Sequence, residues 1–310
     1  MKDLKKNIEE FRPTLKQNSI NAYLIVLKKL NGNKDYENLD FLKNKKDIDL
    51  ILEKLKLTTR RNYITAVLVV LQAVKYDDQN LLNYYRNLVN DYNEEYTAKM
   101  STNTKSEKQE ANWVELSELD KIREDYAARV KKLDLKNKIK IKPSEFSLLQ
   151  EYLVSALYTL LPPIRLDYSP MLVVKSEKDM KEGNNYLINS GRNKKRFVIN
   201  EYKNVKSKGQ QIITVPSKLN SILNLVLKYN DTEHLLLNNR KQALSSNGLG
   251  KLITSVFKPT GKQITINLLR SMFISQNIDM EAINNAKNLA DAMGHSTSTQ
   301  QKIYFKKETE

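Results

Sequence analysis

No cysteine occurs among the 310 residues, which excludes disulfides, thiolate catalysis and cysteine-ligated zinc together. Histidine is nearly as scarce: only His234 and His295 are present, too few for a histidine-based metal centre. The longest uninterrupted apolar run is Ala66–Leu71, and the start, MKDLKKNIEEF, has no apolar h-region. Neither a signal peptide nor a membrane span is therefore expected, and the chain reads as soluble and intracellular. Several chemistries are missing as well. There is no GxxxxGK[ST] loop, since Gly248-Leu249-Gly250-Lys251 lacks both the first glycine and the hydroxyl after the lysine, and there is no HExxH. Carboxylates are scattered among lysines, with Asp77-Asp78 the only adjacent aspartates, so no two-metal site is expected. Internal repeats and low-complexity tracts are also missing.

What the chain has is positive charge. Lys and Arg number 52 against 36 Asp and Glu, a net +16 spread along the whole length. That balance favours a polyanionic partner, most often nucleic acid, although an acidic membrane surface would draw the same charge. The length suits two domains.

Helical periodicity dominates the first hundred residues. Ile20, Tyr23, Leu24, Leu27 and Leu30 share one face, with Ser19 as N-cap and Gly32 as stop. Further helices are expected over Asp47–Leu57, from Thr58 or Thr59 to Val74, and over about Asn80–Lys99, giving a helical bundle over 1–99. Arg60 and Arg61 fall in the first turn of the third helix, beside the positive end of its dipole. An anionic partner such as a DNA phosphate would relieve that placement, and a solvated face would accommodate it equally well.

The stretch MSTNTKSEKQEAN, 100–112, is the most polar in the chain and reads as a linker. Trp113, the lone tryptophan, reads as a core anchor that opens a second domain, 113–310. Leu149, Leu153, Ala156, Leu157 and Leu160 form a buried helical stripe that Pro162-Pro163 must end. Between Met171 and Val215 the runs MLVV, YLIN, FVIN and QIITV alternate with polar turns, which predicts a small antiparallel sheet with a hairpin loop at Lys203–Gly209. The fold class is mainly α with that sheet, α+β.

Near the end, LADAMGHSTSTQQKIY places His295 directly after a glycine helix stop, and Ser298 with Gln301 has capping-box spacing before Tyr304. With metals and thiols set aside, one histidine, one tyrosine of sixteen and surplus cations suit metal-free attack on a phosphodiester, whose charged oxygens arginine meets bidentately. Arg165, in PPIRLDY, and Arg270, in TINLLRSMFIS, stand where packing asks for no guanidinium. Taken singly, each also reads as a half-buried structural ion pair, Arg165 with Asp167.

Taken together, LYTLLPPIRLDYSPMLV, TINLLR and the terminal Gly-His…Tyr segment resemble, in order and spacing, the tyrosine recombinase (phage integrase) family, of viral or mobile-element type. The motifs cover the chain from about Trp113 onward, and the N-terminal bundle is similar in size and place to the family's DNA-binding core-binding domain. The resemblance implies that Tyr304 attacks the scissile phosphate, forming a 3′-phosphotyrosyl link and freeing a 5′-hydroxyl. It implies that Arg165 and Arg270 clamp that phosphate and that His295 bonds the same oxygens and assists proton transfer. A hairpin lysine would protonate the leaving oxygen; Lys203 matches best, with Lys206 and Lys208 in the same loop as alternatives and as DNA contacts. Where the family usually has histidine or lysine, three residues before Arg270, stands Asn267, which can hydrogen-bond a phosphate but exchanges no proton at neutral pH.

The implied partner is double-stranded DNA, clasped by both domains, with a homo-oligomer, a tetramer on paired sites, for strand exchange. No cofactor, ATP or metal is expected. The implied location is wherever that DNA lies, the cytoplasm of a prokaryotic host or the nucleus or viral factory of a eukaryotic one. Only FKKETE follows Tyr304, so the terminal helix that many family members donate to a neighbour is expected to be absent or very short. Rival readings are a type IB topoisomerase and a DNA-binding protein that has lost cleavage.

Overall fold

The computed structural model describes residues 4–191 and 194–306. It divides into two compact units, Met1–Thr104 and Lys105–Glu310, each with its own apolar core.

The first unit is all helical. Its helices are α1 (Leu4–Phe11), α2 (Gln17–Leu30), α3 (Lys45–Glu53), α4 (Leu57–Ala73) and α5 (Gln79–Ser101). Helix α4 is central: Ile64, Ala66, Val67, Val69, Val70 and Leu71 are buried, because α1, α2 and α5 all pack against it. A helix surrounded in this way is apolar on more than one face, which explains the run Ala66–Leu71 without a membrane. One sequence expectation changes here, and one helix is added. Helix α2 begins at Gln17 and carries no side-chain cap, so Ser19 lies inside it. Helix α1 was hidden in the charged N-terminal stretch, where only Leu4 and Ile8 are buried.

The polar stretch 100–112 includes the end of α5 and a further helix, α6 (Glu107–Asn112). Ser106 explains that helix without any apolar stripe: its hydroxyl accepts from the Gln109 amide (3.3 Å), and the Gln109 side chain accepts from the Ser106 amide (2.9 Å).

In the second unit α7 (Leu116–Lys132), α10 (Ser217–Tyr229) and α11 (Ser246–Val256) pack around α8 (Pro143–Thr159). Burial of Leu149, Leu153, Ala156 and Leu157 matches the expected stripe, and truncating one such leucine would cost about 2–5 kcal/mol. Trp113 is half-buried against this core, with Lys105 Nζ 4.3 Å from its ring centroid.

Four strands form one sheet in sequence order: β1 (Met171–Val174), β2 (Asn185–Asn189), β3 (Lys195–Ile199) and β4 (Gln211–Thr214). The expectation of a purely antiparallel sheet is corrected, because β1 and β2 run parallel while β2–β3 and β3–β4 are antiparallel. A parallel pair needs a crossover rather than a tight turn. The connection 175–184 provides one, pinned where the Tyr186 hydroxyl accepts from the Lys181 amide (2.7 Å) and donates to the Lys181 carbonyl (2.8 Å). The β3–β4 connection contains a single helical turn, α9 (Val205–Lys208). Helices α12 (Ile266–Asn277) and α13 (Met280–Ala292) follow, then a helical turn over Thr297–Thr299 that continues as a π-turn over Gln300–Tyr304. Residues 307–310, the end of FKKETE, lie outside the described residues. No helix among the described residues is long and apolar enough to cross a membrane.

Candidate active site

Helix α8 ends at Thr159, and the chain then passes through Pro162-Pro163 to Arg165. Its backbone there is held by a tyrosine that is itself packed in place. The Tyr158 hydroxyl donates to the Arg165 carbonyl (2.9 Å), and Tyr168, fully buried, sits edge-on to both Tyr158 and Phe197. Burial pushes the Tyr158 phenol well above its ordinary range, reinforced by the neighbouring Tyr168 and Asp167, so it serves as a neutral donor.

The second arginine comes to the same place from α12. Arg270 Nη1 donates to the Pro163 carbonyl (2.9 Å), tying α12 to the segment that carries Arg165. Asp167 registers both cations: burial raises its carboxyl pKa, while Arg165 and then Arg270 oppose that rise. Yet neither arginine has a carboxylate within 4 Å among the described residues. The expected Arg165–Asp167 ion pair is therefore a longer-range attraction, and the Arg165 guanidinium makes no hydrogen bond within the described residues. Two half-buried guanidiniums in a shared setting, one with all its donors uncommitted, suit a doubly charged or delocalised anion.

Asn267, one turn before Arg270, is exposed. It lines a cleft of about 270 Å³ with Ser106, Gln109, Asn112 and Ser271, and Arg270 is not part of its wall.

Lys203 lies in the turn of the β3–β4 connection, beyond the end of β3 at Ile199. Lys206 and Lys208 are on α9. All three are exposed. Sequence reasoning missed what anchors this connection, namely Asn185. It also missed Lys195, a buried lysine on β3 whose Nζ donates to Asn224 (2.6 Å) and Asn220 (3.0 Å). Neither carried a sequence signal, because both bonds depend on tertiary neighbours.

His295 and Tyr304 do come together. Gly294 closes α13 with φ +70°: its amide bonds the Asp291 carbonyl, and the His295 amide bonds that of Ala290 (both 3.1 Å), the paired bonds of a Schellman stop. The next cap is Ser296 rather than Ser298, its hydroxyl accepting from the Thr299 amide (3.1 Å). The turn lays the His295 ring on Tyr304 with centroids 5.1 Å apart and planes 20° from parallel. His295 Nδ1 lies 3.3 Å from the Ser296 carbonyl, and Nε2 is buried without a partner among the described residues.

Among the described residues no hydrogen bond or ion pair links 279–306 to the rest of the unit, and of α13 only Ala290 is buried. Ile283, Leu289, Met293 and Ile303 are all exposed.

No protein-family model matches this chain, and no curated protein matches it. Among solved structures it is similar to one described as the crystal structure of XerA recombinase, with a TM-score of 0.32 and 14% identity, covering 97% of this chain and 92% of that one. At that distance the overlay assigns no residue here a role.

In the first unit Arg60 and Arg61 both have protein partners. Arg60 Nε and Nη2 donate to the carbonyls of Leu55 (2.8 Å) and Glu53 (2.9 Å), closing the end of α3. Arg61 Nε donates to Asn93 (2.5 Å), and its guanidinium lies 4.5 Å from the Tyr96 ring centroid. Within the described residues, no cluster of three or more His, Asp or Glu side chains is arranged to hold a metal ion.

Proposed function

We propose that this protein breaks and rejoins DNA strands through Tyr304, as the resemblance to tyrosine recombinases implies. The observation that carries the reading is the Arg270–Pro163 hydrogen bond, which ties the helix carrying one arginine to the segment carrying the other, far away in sequence. In the proposed step the Tyr304 oxygen attacks the phosphorus and gives up its proton to His295 or solvent. The bond from phosphorus to the 5′ oxygen breaks, and that oxygen takes its pair of electrons and a proton from Lys203, or from Lys206 or Lys208. Arg165 and Arg270 meet the charge on the non-bridging oxygens. The phosphotyrosyl ester conserves the bond energy, so attack by a 5′-hydroxyl reverses the step without ATP. Exchange between paired sites by four copies is the finer form of the proposal, and relaxation of supercoils by one copy is its nearest alternative.

A second reading, a DNA-binding protein without cleavage, is favoured by one observation, the lack of hydrogen bonds and ion pairs, among the described residues, between 279–306 and the arginine-bearing body. Mixing the protein with supercoiled plasmid and a random-sequence pool of nicked duplexes, then separating under denaturing conditions, decides between them. Cleavage gives a covalent protein–DNA band that Tyr304→Phe abolishes and whose DNA can be sequenced. Binding without any such band would favour the second reading.

A further inference from the structure

Asn185 opens β2 and is buried, at 5% exposure. An amide side chain has two donors and one oxygen that can accept twice, and here all four capacities are filled by backbone. Nδ2 donates to the Asp167 carbonyl and to the Glu201 carbonyl, each 2.9 Å away. Oδ1 accepts from the amides of Asn200 (2.9 Å) and Glu201 (2.7 Å). Asp167 follows Arg165 closely, and Glu201 shortly precedes Lys203. One side chain therefore binds the arginine segment to the connection carrying the candidate general acids.

Nearby bonds extend the anchor to the far side of that connection. Asn200 Nδ2 donates to the Asn184 carbonyl (3.1 Å), Gln210 Nε2 donates to Asn200 Oδ1 (2.7 Å), and the Tyr202 hydroxyl donates to the Gly209 carbonyl (2.8 Å). Both ends of 200–210 are thus gripped, while Lys203, Lys206 and Lys208 are left exposed between them.

We propose that Asn185 is a positioning residue that sets the lysine-bearing connection against the phosphate clamped by Arg165. The inference rests on the cleavage reading above. Misplacing a catalytic group by about 1 Å costs on the order of 10²-fold in rate, so Asn185 acts on cleavage through the lysine and not through its own atoms.

Leaving-group chemistry separates this role from a merely structural one. An alkoxide leaves only with a proton from the general acid, whereas sulfur in place of the bridging 5′ oxygen leaves as a thiolate and needs none. Wild type, Lys203→Ala, Asn185→Ala and Asn185→Asp are compared on the duplex recovered from the covalent band, with oxygen or sulfur at that position. Asn185→Asp retains the acceptor for the Asn200 and Glu201 amides, and hydrogen exchange in α8 reports whether each variant stays folded. We expect both Asn185 variants to cleave the oxygen substrate about 10- to 100-fold slower and the sulfur substrate near the wild-type rate, with α8 still protected. Equal slowing on both substrates, no slowing on either, or loss of α8 protection in both variants would each overturn the inference. Failure of wild type on both substrates is a different result and overturns the cleavage reading itself.

Discussion

Arg270 and Pro163 are joined by a 2.9 Å hydrogen bond between a guanidinium and a backbone carbonyl, and through it the two candidate phosphate-binding segments become one structure. The Arg165 guanidinium, by contrast, makes no hydrogen bond among the described residues, and its carbonyl is engaged by the Tyr158 hydroxyl. The two arginines should therefore separate on mutation. Arg270→Ala leaves a half-buried carbonyl unpaired and should lower stability by about 1–2 kcal/mol, while Arg165→Ala should change it by no more than about 0.5 kcal/mol. Both should reduce covalent adduct formation by about 10²–10³-fold. Urea unfolding beside the adduct assay measures the contrast, and equal stability losses would count against the assigned bond.

Asp167 gives a pH prediction with a definite sign. Burial holds its folded pKa above the ordinary carboxylate value of 3.8, against the pull of Arg165 and Arg270. A raised folded pKa means that the stability present with the protonated acid below the unfolded pKa is lost as pH rises through the folded one. Asp167→Asn should therefore be more stable than wild type at neutral pH, with the gain vanishing as pH falls below about 4. Thermal unfolding at pH 7 and pH 3.5 checks this; a variant less stable than wild type at pH 7 would reverse the sign.

Much of this arrangement can be read from sequence and some cannot. The α8 stripe, the Pro162-Pro163 break, the four strands and the Gly294 stop follow from local rules, since periodicity and glycine or proline chemistry act over a few residues. The parallel β1–β2 pairing does not, because it depends on how 175–184 crosses over. Likewise Arg270–Pro163 and the four bonds of Asn185 join residues far apart, and an asparagine at a strand start looks the same whether anchored or solvated. Ser296, not Ser298, caps the last turn because the Schellman bonds at Gly294 leave the chain ready to restart sooner than spacing alone suggests.

Gly294 adopts φ +70° with open space where a Cβ would stand, so Gly294→Ala suffers backbone strain of about 1 kcal/mol without a clash. Since α13 is almost wholly exposed, that strain should leave global unfolding nearly unchanged while loosening the turn that stacks His295 on Tyr304. Adduct formation should fall although the unfolding midpoint holds, and a fall in both together would show that 279–306 is tied into the core after all.

Arg60 closes α3 through two carbonyls, so Arg60→Ala should lower the stability of the first unit by on the order of 1 kcal/mol. The dependence of DNA binding on salt, measured in the same variant, reports independently on phosphate contact: losing one contact reduces the log–log slope by about one. Stability equal to wild type would contradict the role in closing α3.

The most direct test of the central claim is to map the attachment point. Sixteen tyrosines are present, and trypsin should release Tyr304 in the short peptide between Lys302 and Lys306. After the covalent complex is digested with nuclease and trypsin, mass spectrometry should find a nucleotide phosphate on that peptide and on no other tyrosine. A nucleotide on a different residue, or no nucleotide-bearing peptide from protein that binds DNA, would contradict the assignment of Tyr304 as the nucleophile.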